Sequence, residues 1–304
     1  MGLVARVAVA ECRPPESCVD PEALWLPPAA TRFVGISDPG VMAPGAASGS
    51  AVLSFRLRPA VFTVPAPNRD GRDVNVISHA TDVSLAARWG VGHRLELTVA
   101  APAGLYQRGA GIKGVTSQAA DAVAAFGLHD PRLGFALALP TRSSWLSAKL
   151  RFEAKLPLGS SASVATESGP VSSPSLAIQA ERRGWFAGAE LGARLRRADE
   201  LLGLRVGSQA LIALGVGRRL AEPRLTFALE AYALPSLIDS GPRASTPSEW
   251  LVSAALAPRA LPALTFGAAG GGGLPLSADA AGTRLAYGVP TLRALVFVRL
   301  APAP

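Results

Sequence analysis

The stretch Trp145 to Pro157, WLSAKLRFEAKLP, separates two sets of residues by parity. From Leu146 to Leu156 the even positions read Leu, Ala, Leu, Phe, Ala, Leu; from Ser147 to Lys155 the odd positions read Ser, Lys, Arg, Glu, Lys. Successive side chains of an extended strand point to opposite faces, so this pattern predicts a strand with one apolar and one charged face. A helix would mix the two sets around its circumference.

The pattern recurs along most of the chain. From Ser50, Leu53, Phe55 and Leu57 alternate with Ser54, Arg56 and Arg58. Val83, Leu85, Ala87 and Trp89 alternate with Asp82, Ser84, Ala86 and Arg88. The turn Gly90–Val91–Gly92–His93 then leads to Leu95, Leu97 and Val99, which are interleaved with Arg94, Glu96 and Thr98. Pattern and turn chemistry together predict a hairpin. Further strands are expected near 131–140, 145–157, 173–182, 185–196, 204–217, 223–234, 249–257, 262–271 and 284–300, which makes twelve.

The connections alternate between long (65–73, 104–130, 158–172, 235–248, 272–283) and short (90–93, 141–144, 183–184, 218–222, 258–261), with 197–203 intermediate. Short turns at one end and long loops at the other are the construction of outer-membrane barrels, with periplasmic turns and extracellular loops. A soluble β-sandwich has no reason to keep that alternation. The expected fold class is therefore all-β: an antiparallel up-and-down transmembrane β-barrel of about twelve strands in a bacterial outer membrane, with both termini periplasmic. Strands of about 9–11 residues suffice to cross a bilayer obliquely. Trp89, Trp145, Trp185 and Trp250 fall near strand ends, as interfacial girdle residues do.

Composition fits a barrel. Charged residues are 17% of the 304, and the mean hydropathy is +0.29. No apolar run is long enough for a transmembrane helix, and Leu201 to Leu214 is interrupted by Arg205, Ser208 and Gln209. The net charge of +8 is almost all arginine, and it is spread through strands and turns rather than clustered with stacking aromatics. That distribution argues against nucleic acid as a partner. The expected surroundings are the lipid bilayer and lipopolysaccharide, with the barrel-assembly machinery as insertion partner and a monomer as the assembled state.

Residues 1–48 lack sustained periodicity and read as an export remnant followed by a Pro/Gly-rich periplasmic lead-in; 49–304 form the barrel domain. Ala8–Val9–Ala10 suits the end of a signal peptide, with maturation before Glu11, but it suits an ordinary terminus equally. Cys12 and Cys18 close a small disulfide loop in an oxidising compartment and stay thiols in a reducing one. Two thiols alone do not make a zinc site, and neither a metal nor any other cofactor is expected.

The run GRDVNVISHATDVSLAARWGVGHRLELTVAAPAGLYQRG, residues 71–109, resembles the early barrel hairpin of the OmpA-family outer-membrane proteins of myxobacteria-like organisms. Those barrels are related in pattern to outer-membrane channels of the phenol-degradation (MetA-like) type. GVGHRLELTVAAP matches the strand–turn–strand and LYQRG the entry to the first large loop, while HDPRLGFALAL, residues 129–139, matches the segment after that loop. The resemblance extends over roughly residues 30–300 and implies a porin-like barrel. Many relatives continue into calcium-binding repeats and a peptidoglycan-binding domain, which this sequence does not carry, so wall anchoring is not implied.

If the apolar face meets lipid, the other face lines the lumen. The expected lining residues are Arg56, Arg58, Arg88, Arg94, Glu96, Lys149, Arg151, Glu153, Lys155, Glu181, Glu190, Arg194, Arg205, Arg224 and Glu230. Two readings follow: a passive channel for small, anionic solutes through a positive lumen, or a non-conducting structural barrel whose interior is stitched shut by Arg–Glu pairs. No enzyme is expected. His129–Asp130 with Ser117 and Asp121 upstream lacks any G-x-S-x-G context. Gly270–Gly273 lacks the Lys-Ser/Thr of a phosphate loop. The alanine-rich 118–126 segment reads as a loop with a marginal helix.

Overall fold

The computed structural model describes residues 20–29, 32–64, 72–111, 123–201, 204–220, 224–238, 246–274 and 285–301. Its strands are β1 (Ala47–Val64), β2 (Arg72–Gly90), β3 (Leu95–Arg108), β4 (Gly127–Leu128), β5 (Arg132–Leu139), β6 (Leu146–Lys155), β7 (Val171–Arg182) and β8 (Trp185–Arg194). There follow β9 (Asp199–Leu201), β10 (Leu204–Val206), β11 (Gln209–Arg219), β12 (Leu225–Ala233), β13 (Ser248–Leu256), β14 (Leu264–Gly273), β15 (Leu285–Tyr287) and β16 (Leu292–Leu300).

Twelve of them close a ring in the order β1–β2–β3–β5–β6–β7–β8–β11–β12–β13–β14–β16, every pair antiparallel. The seam is β1 against β16, from Gly49↔Leu300 to Leu57↔Leu292. Closure removes the free sheet edges, the condition for a sheet to sit in lipid. The short joins are tight for a chemical reason. Between β7 and β8, Arg183 (φ 52°) and Gly184 (φ 80°) both take the left-handed conformation, which gives a two-residue turn whose twist matches the strands.

Three details differ from the pattern read in the sequence. The expected strand 204–217 is two pieces: Leu204–Val206 pairs with Asp199–Leu201 in a separate hairpin, and β11 begins only at Gln209. The last segment is likewise divided into β15 and β16, both paired with β1. β3 runs on to Arg108, so the large loop starts later than residue 104.

The two faces separate by exposure. On β6, Leu150 points outward at 48% exposure, while Lys149, Glu153 and Lys155 are buried. Around the ring Leu85, Leu97, Leu133, Leu191, Leu214, Leu229, Val252 and Val296 all lie outward and exposed. A belt of large apolar side chains on a closed barrel is a lipid-facing surface. Trp89, Trp145 and Trp185 stand at the short-turn end, and Trp250 stands near the long-loop end of β13.

The described part of the aperiodic lead-in, residues 20–29 and 32–46, runs through the barrel interior. Asp20 lies at the long-loop end against Lys155, and Gly45 reaches the short-turn end, where its N–H donates to the Gly90 carbonyl at 2.8 Å. Between them the segment carries the barrel's apolar core. Leu24, Phe33, Val34 and Ile36 pack with inward-facing Val52, Phe186, Leu251, Leu295 and Phe297. Cys12 and Cys18 lie outside the described residues, as does 118–122 of the alanine-rich 118–126 segment, whose described part, 123–126, is not helical.

Candidate functional site

The lumen is the candidate site, and the interior segment occupies it. Two kinds of interaction hold the segment. Wall carboxylates first take its backbone N–H groups. Glu230 accepts from Val34 and Gly35, both at 2.7 Å, Glu190 accepts from Ser37 at 2.9 Å, and Glu96 accepts from Met42 at 3.0 Å. Wall arginines take its carbonyls: Arg299 donates to Phe33 O at 2.9 Å and Arg132 to Leu26 O at 2.8 Å. An irregular segment in a barrel must satisfy its backbone groups through side chains, and here the wall supplies them.

The second set is ionic. Glu22 is gripped by two wall guanidiniums, Arg56 at 3.1 Å and Arg293 at 2.9 Å. Asp20 sits 2.7 Å from Lys155 Nζ and 3.5 Å from His129. Asp38 faces Arg88 at 3.9 Å. The segment's carboxylates thus occupy cationic positions of the wall. At the short-turn mouth Arg32 runs the other way and pairs with Glu181.

The wall also pairs with itself. Arg56 meets Asp82 at 2.7 Å, Lys149 meets Glu96 at 3.1 Å, Arg132 meets Glu153 at 3.2 Å, and Arg293 meets Glu249 at 2.7 Å. Arg151 bridges Glu153 and Glu190. Arg194 is different: its guanidinium stacks 4.3 Å from the Trp25 ring, with Arg132 at 5.2 Å, and its Nε is buried with no hydrogen-bond partner among the described residues.

The Phe33 ring shows how closely segment and wall fit. It meets Phe186 edge-on at 5.2 Å, and it lies over Gly188 and Gly215, where a Cβ would stand 2.7 and 2.5 Å from it. A cavity of about 50 Å³ remains between segment and wall, lined by Glu22, Trp25, Asp82, His129, Lys155 and Arg293 among others. That is room for a few water molecules rather than for a solute.

His129 lies outside the strands, with Nδ1 facing Asp20 and Nε2 facing Asp82 at 3.3 Å. Burial disfavours its charge, but the two carboxylates outweigh burial and raise its pKa to about 9. Burial also pushes the Asp20 carboxyl up, yet Lys155 and His129 hold it well below the usual carboxylate range. His129 is therefore a charged clamp between segment and wall. With both ring nitrogens committed to carboxylates it is not arranged to activate a hydroxyl, while Ser117 and Asp121 lie outside the described residues. Neighbouring Asp130 accepts from Thr166 Oγ1 and from the N–H groups of Gly159 and Glu167, which ties the loops together.

Of the residues expected at the lumen, Arg56, Arg88, Glu96, Lys149, Glu153, Lys155, Glu190, Arg194 and Glu230 are buried inside, as is the Arg151 side chain. Glu181 is half-buried at the short-turn mouth. Four sit elsewhere. Arg58 occupies a bulge in β1 (φ 51°) and turns to Asn75 and Asp73. Arg94 and Arg224 are exposed at the short turns, and Arg205 is exposed on the β9–β10 hairpin outside the ring. Parity places a residue on a face only while the strand is regular and inside the barrel, and each of these four breaks that condition.

Sequence reasoning missed the segment's own part, although a signal was present. Between Glu11 and Ser48 five carboxylates stand against Arg13 and Arg32, in a chain of net charge +8.

A closed ring of twelve antiparallel strands with an apolar exterior and a polar, charged wall defines an outer-membrane-type β-barrel. No family model matches the chain, and no curated protein sequence does either. Solved structures do match in fold. The COG4313 outer membrane channel from Pseudomonas putida F1 superposes with a TM-score of 0.60 over 88% of this chain and 99% of that one, at 12% identity. The NanC porin gives a TM-score of 0.51 over 84% and 99%, at 8% identity. At such identities the likeness is one of fold.

Proposed function

We propose that this protein is a monomeric outer-membrane channel for small anionic solutes whose lumen is closed by its own N-terminal segment. The observation that carries the reading is the placement of Asp20, Glu22 and Asp38 on the wall cations Lys155, Arg56 with Arg293, and Arg88. Withdrawing the segment exposes those cations to the lumen, where a positive wall of low dielectric favours anions. The fold shared with a protein described as an outer membrane channel supports the channel reading. The resemblance of residues 71–109 to OmpA-family and MetA-like barrels points the same way. In this orientation the long loops meet lipopolysaccharide and the short turns lie in the periplasm.

A second reading, a non-conducting barrel, is favoured by the filled interior. Planar-bilayer recording across a salt gradient separates the two. The intact protein is expected to open rarely and the Glu22→Gln variant more often, with a reversal potential favouring chloride. Absence of steps in both proteins establishes the non-conducting reading, and cation preference in the open variant removes the anionic one.

A further inference from the structure

The short-turn rim carries an arc of arginines, of which only Arg219 turns to the lumen mouth. Along the neighbouring strands β6, β7, β8, β11 and β12 stand Arg142 with Trp145, Arg182 and Arg183, Trp185, Arg218 and Arg219, and Arg224, all exposed. At its centre Trp185 lies directly opposite Arg182 on β7 and Arg218 on β11, so an indole has an arginine across each neighbouring strand. The Arg218 guanidinium stands 5.1 Å from the Trp185 ring.

These three side chains belong to the outer face. Trp185 alternates with Phe186, which is buried in the lumen. Arg218 is in phase with outward Leu214 and Val216, and Arg182 with outward Ile178. The rim carboxylate Glu181 has the opposite parity and turns into the lumen mouth, where it pairs with Arg32 and Arg219. Inward from the triad, β8 presents Ala187 and Ala189 between Ile178 on one side and Leu214 and Val216 on the other. That is a shallow apolar furrow leading away from two guanidiniums.

A tryptophan at a barrel end marks the headgroup level of the bilayer. Guanidinium forks match phosphate oxygens bidentately, and arginines beside an aromatic ring are held ready to do so. We infer that Arg182, Trp185 and Arg218 form a binding site for the phosphate of an anionic phospholipid in the leaflet around the short turns, with an acyl chain lying in the Ala187–Ala189 furrow. The inference rests on the membrane placement proposed above and not on conductance, so the recordings can fail without touching it.

The test is native mass spectrometry of the full-length protein in detergent, titrated separately with phosphatidylglycerol, phosphatidylcholine and lipid A. Heat-modifiable migration checks that each variant is a folded barrel. The wild type is expected to retain phosphatidylglycerol over phosphatidylcholine. Arg182→Gln/Arg218→Gln is expected to lose that retention at least fivefold, and Arg108→Gln, on the strand end at the long loops, is expected to keep it. Equal retention of the two phospholipids by the wild type overturns the site, as does undiminished retention by the double variant. Preference for lipid A through the same two arginines overturns the choice of leaflet and ligand.

Discussion

Glu22 and Arg293, 271 residues apart in the chain, form a two-pronged ion pair inside the barrel, with Nη2–Oε1 at 2.9 Å and Nη1–Oε2 at 3.3 Å. Arg293 is itself anchored by Glu249, and Arg56 takes the same Glu22 carboxylate from the other side of the seam. The first described residues of the chain and its last strand are thereby joined through the lumen.

Glu22→Gln removes the charge that two buried guanidiniums share. Breaking a buried pair costs about 3–5 kcal/mol; Glu22 retains some exposure, so about 2 kcal/mol of segment docking is the expected loss, or roughly 30-fold in the docking equilibrium. Tryptic cleavage after Arg32, read by fragment mass, is expected to accelerate by that order while the barrel stays heat-modifiable. An unchanged rate shows that the pair does not hold the segment.

Gly215→Ala places a methyl 2.5 Å from the Phe33 ring and 2.9 Å from Ile36. The wall strand keeps its hydrogen bonds, so the segment is expected to yield. Phe33→Ala costs about 3–5 kcal/mol of packing, but it also removes the main clash. The double variant is therefore expected to be no worse than Phe33→Ala alone. Additive losses in a double-mutant cycle on Arg32 cleavage contradict that fit.

The His129 clamp has a defined pH dependence. Its pKa in the fold, about 9, lies above the ordinary 6.5, so its stabilisation is complete below about pH 6.5 and is lost as the pH rises through about 9. Asp20 stays ionised throughout that window, because its own pKa is lowered. Arg32 cleavage is expected to quicken from neutral pH to pH 10 in the wild type and to be flat in His129→Gln. A parallel profile in the two proteins assigns the effect to other groups.

Leu150→Arg puts a charge on the lipid face near the middle of β6, where the cost is about 2–4 kcal/mol. Urea titration of folding into phospholipid vesicles is expected to show that loss, and Leu150→Ala a much smaller one. Equal effects contradict the assignment of this face to lipid.

The strands and the outward face were legible in the sequence because both are local. A period of two decides which side chains share a face, and residues such as Leu146, Leu150 and Phe152 need no partner but lipid to favour their side. Alternating join lengths then dictate antiparallel neighbours and a closed ring. Parity failed at Arg58, Arg205 and Arg224, where a bulge, a separate hairpin and a turn interrupt the regular strand.

The barrel, its two faces and the cationic excess of the wall follow from the order of residues alone, since period, turn chemistry and composition act over a few residues. What occupies the lumen follows from contacts between distant parts of the chain. The segment from Asp20 to Ala46 has no period to announce it, and its place depends on pairs such as Glu22–Arg293 and Val34–Glu230, the latter 196 residues apart. Such contacts exist only once the ring has closed and brought its wall charges into one low-dielectric space. There the wall's side chains satisfy the backbone of an acidic, irregular segment, and its carboxylates pair with Lys155, Arg56, Arg293 and Arg88 of the wall.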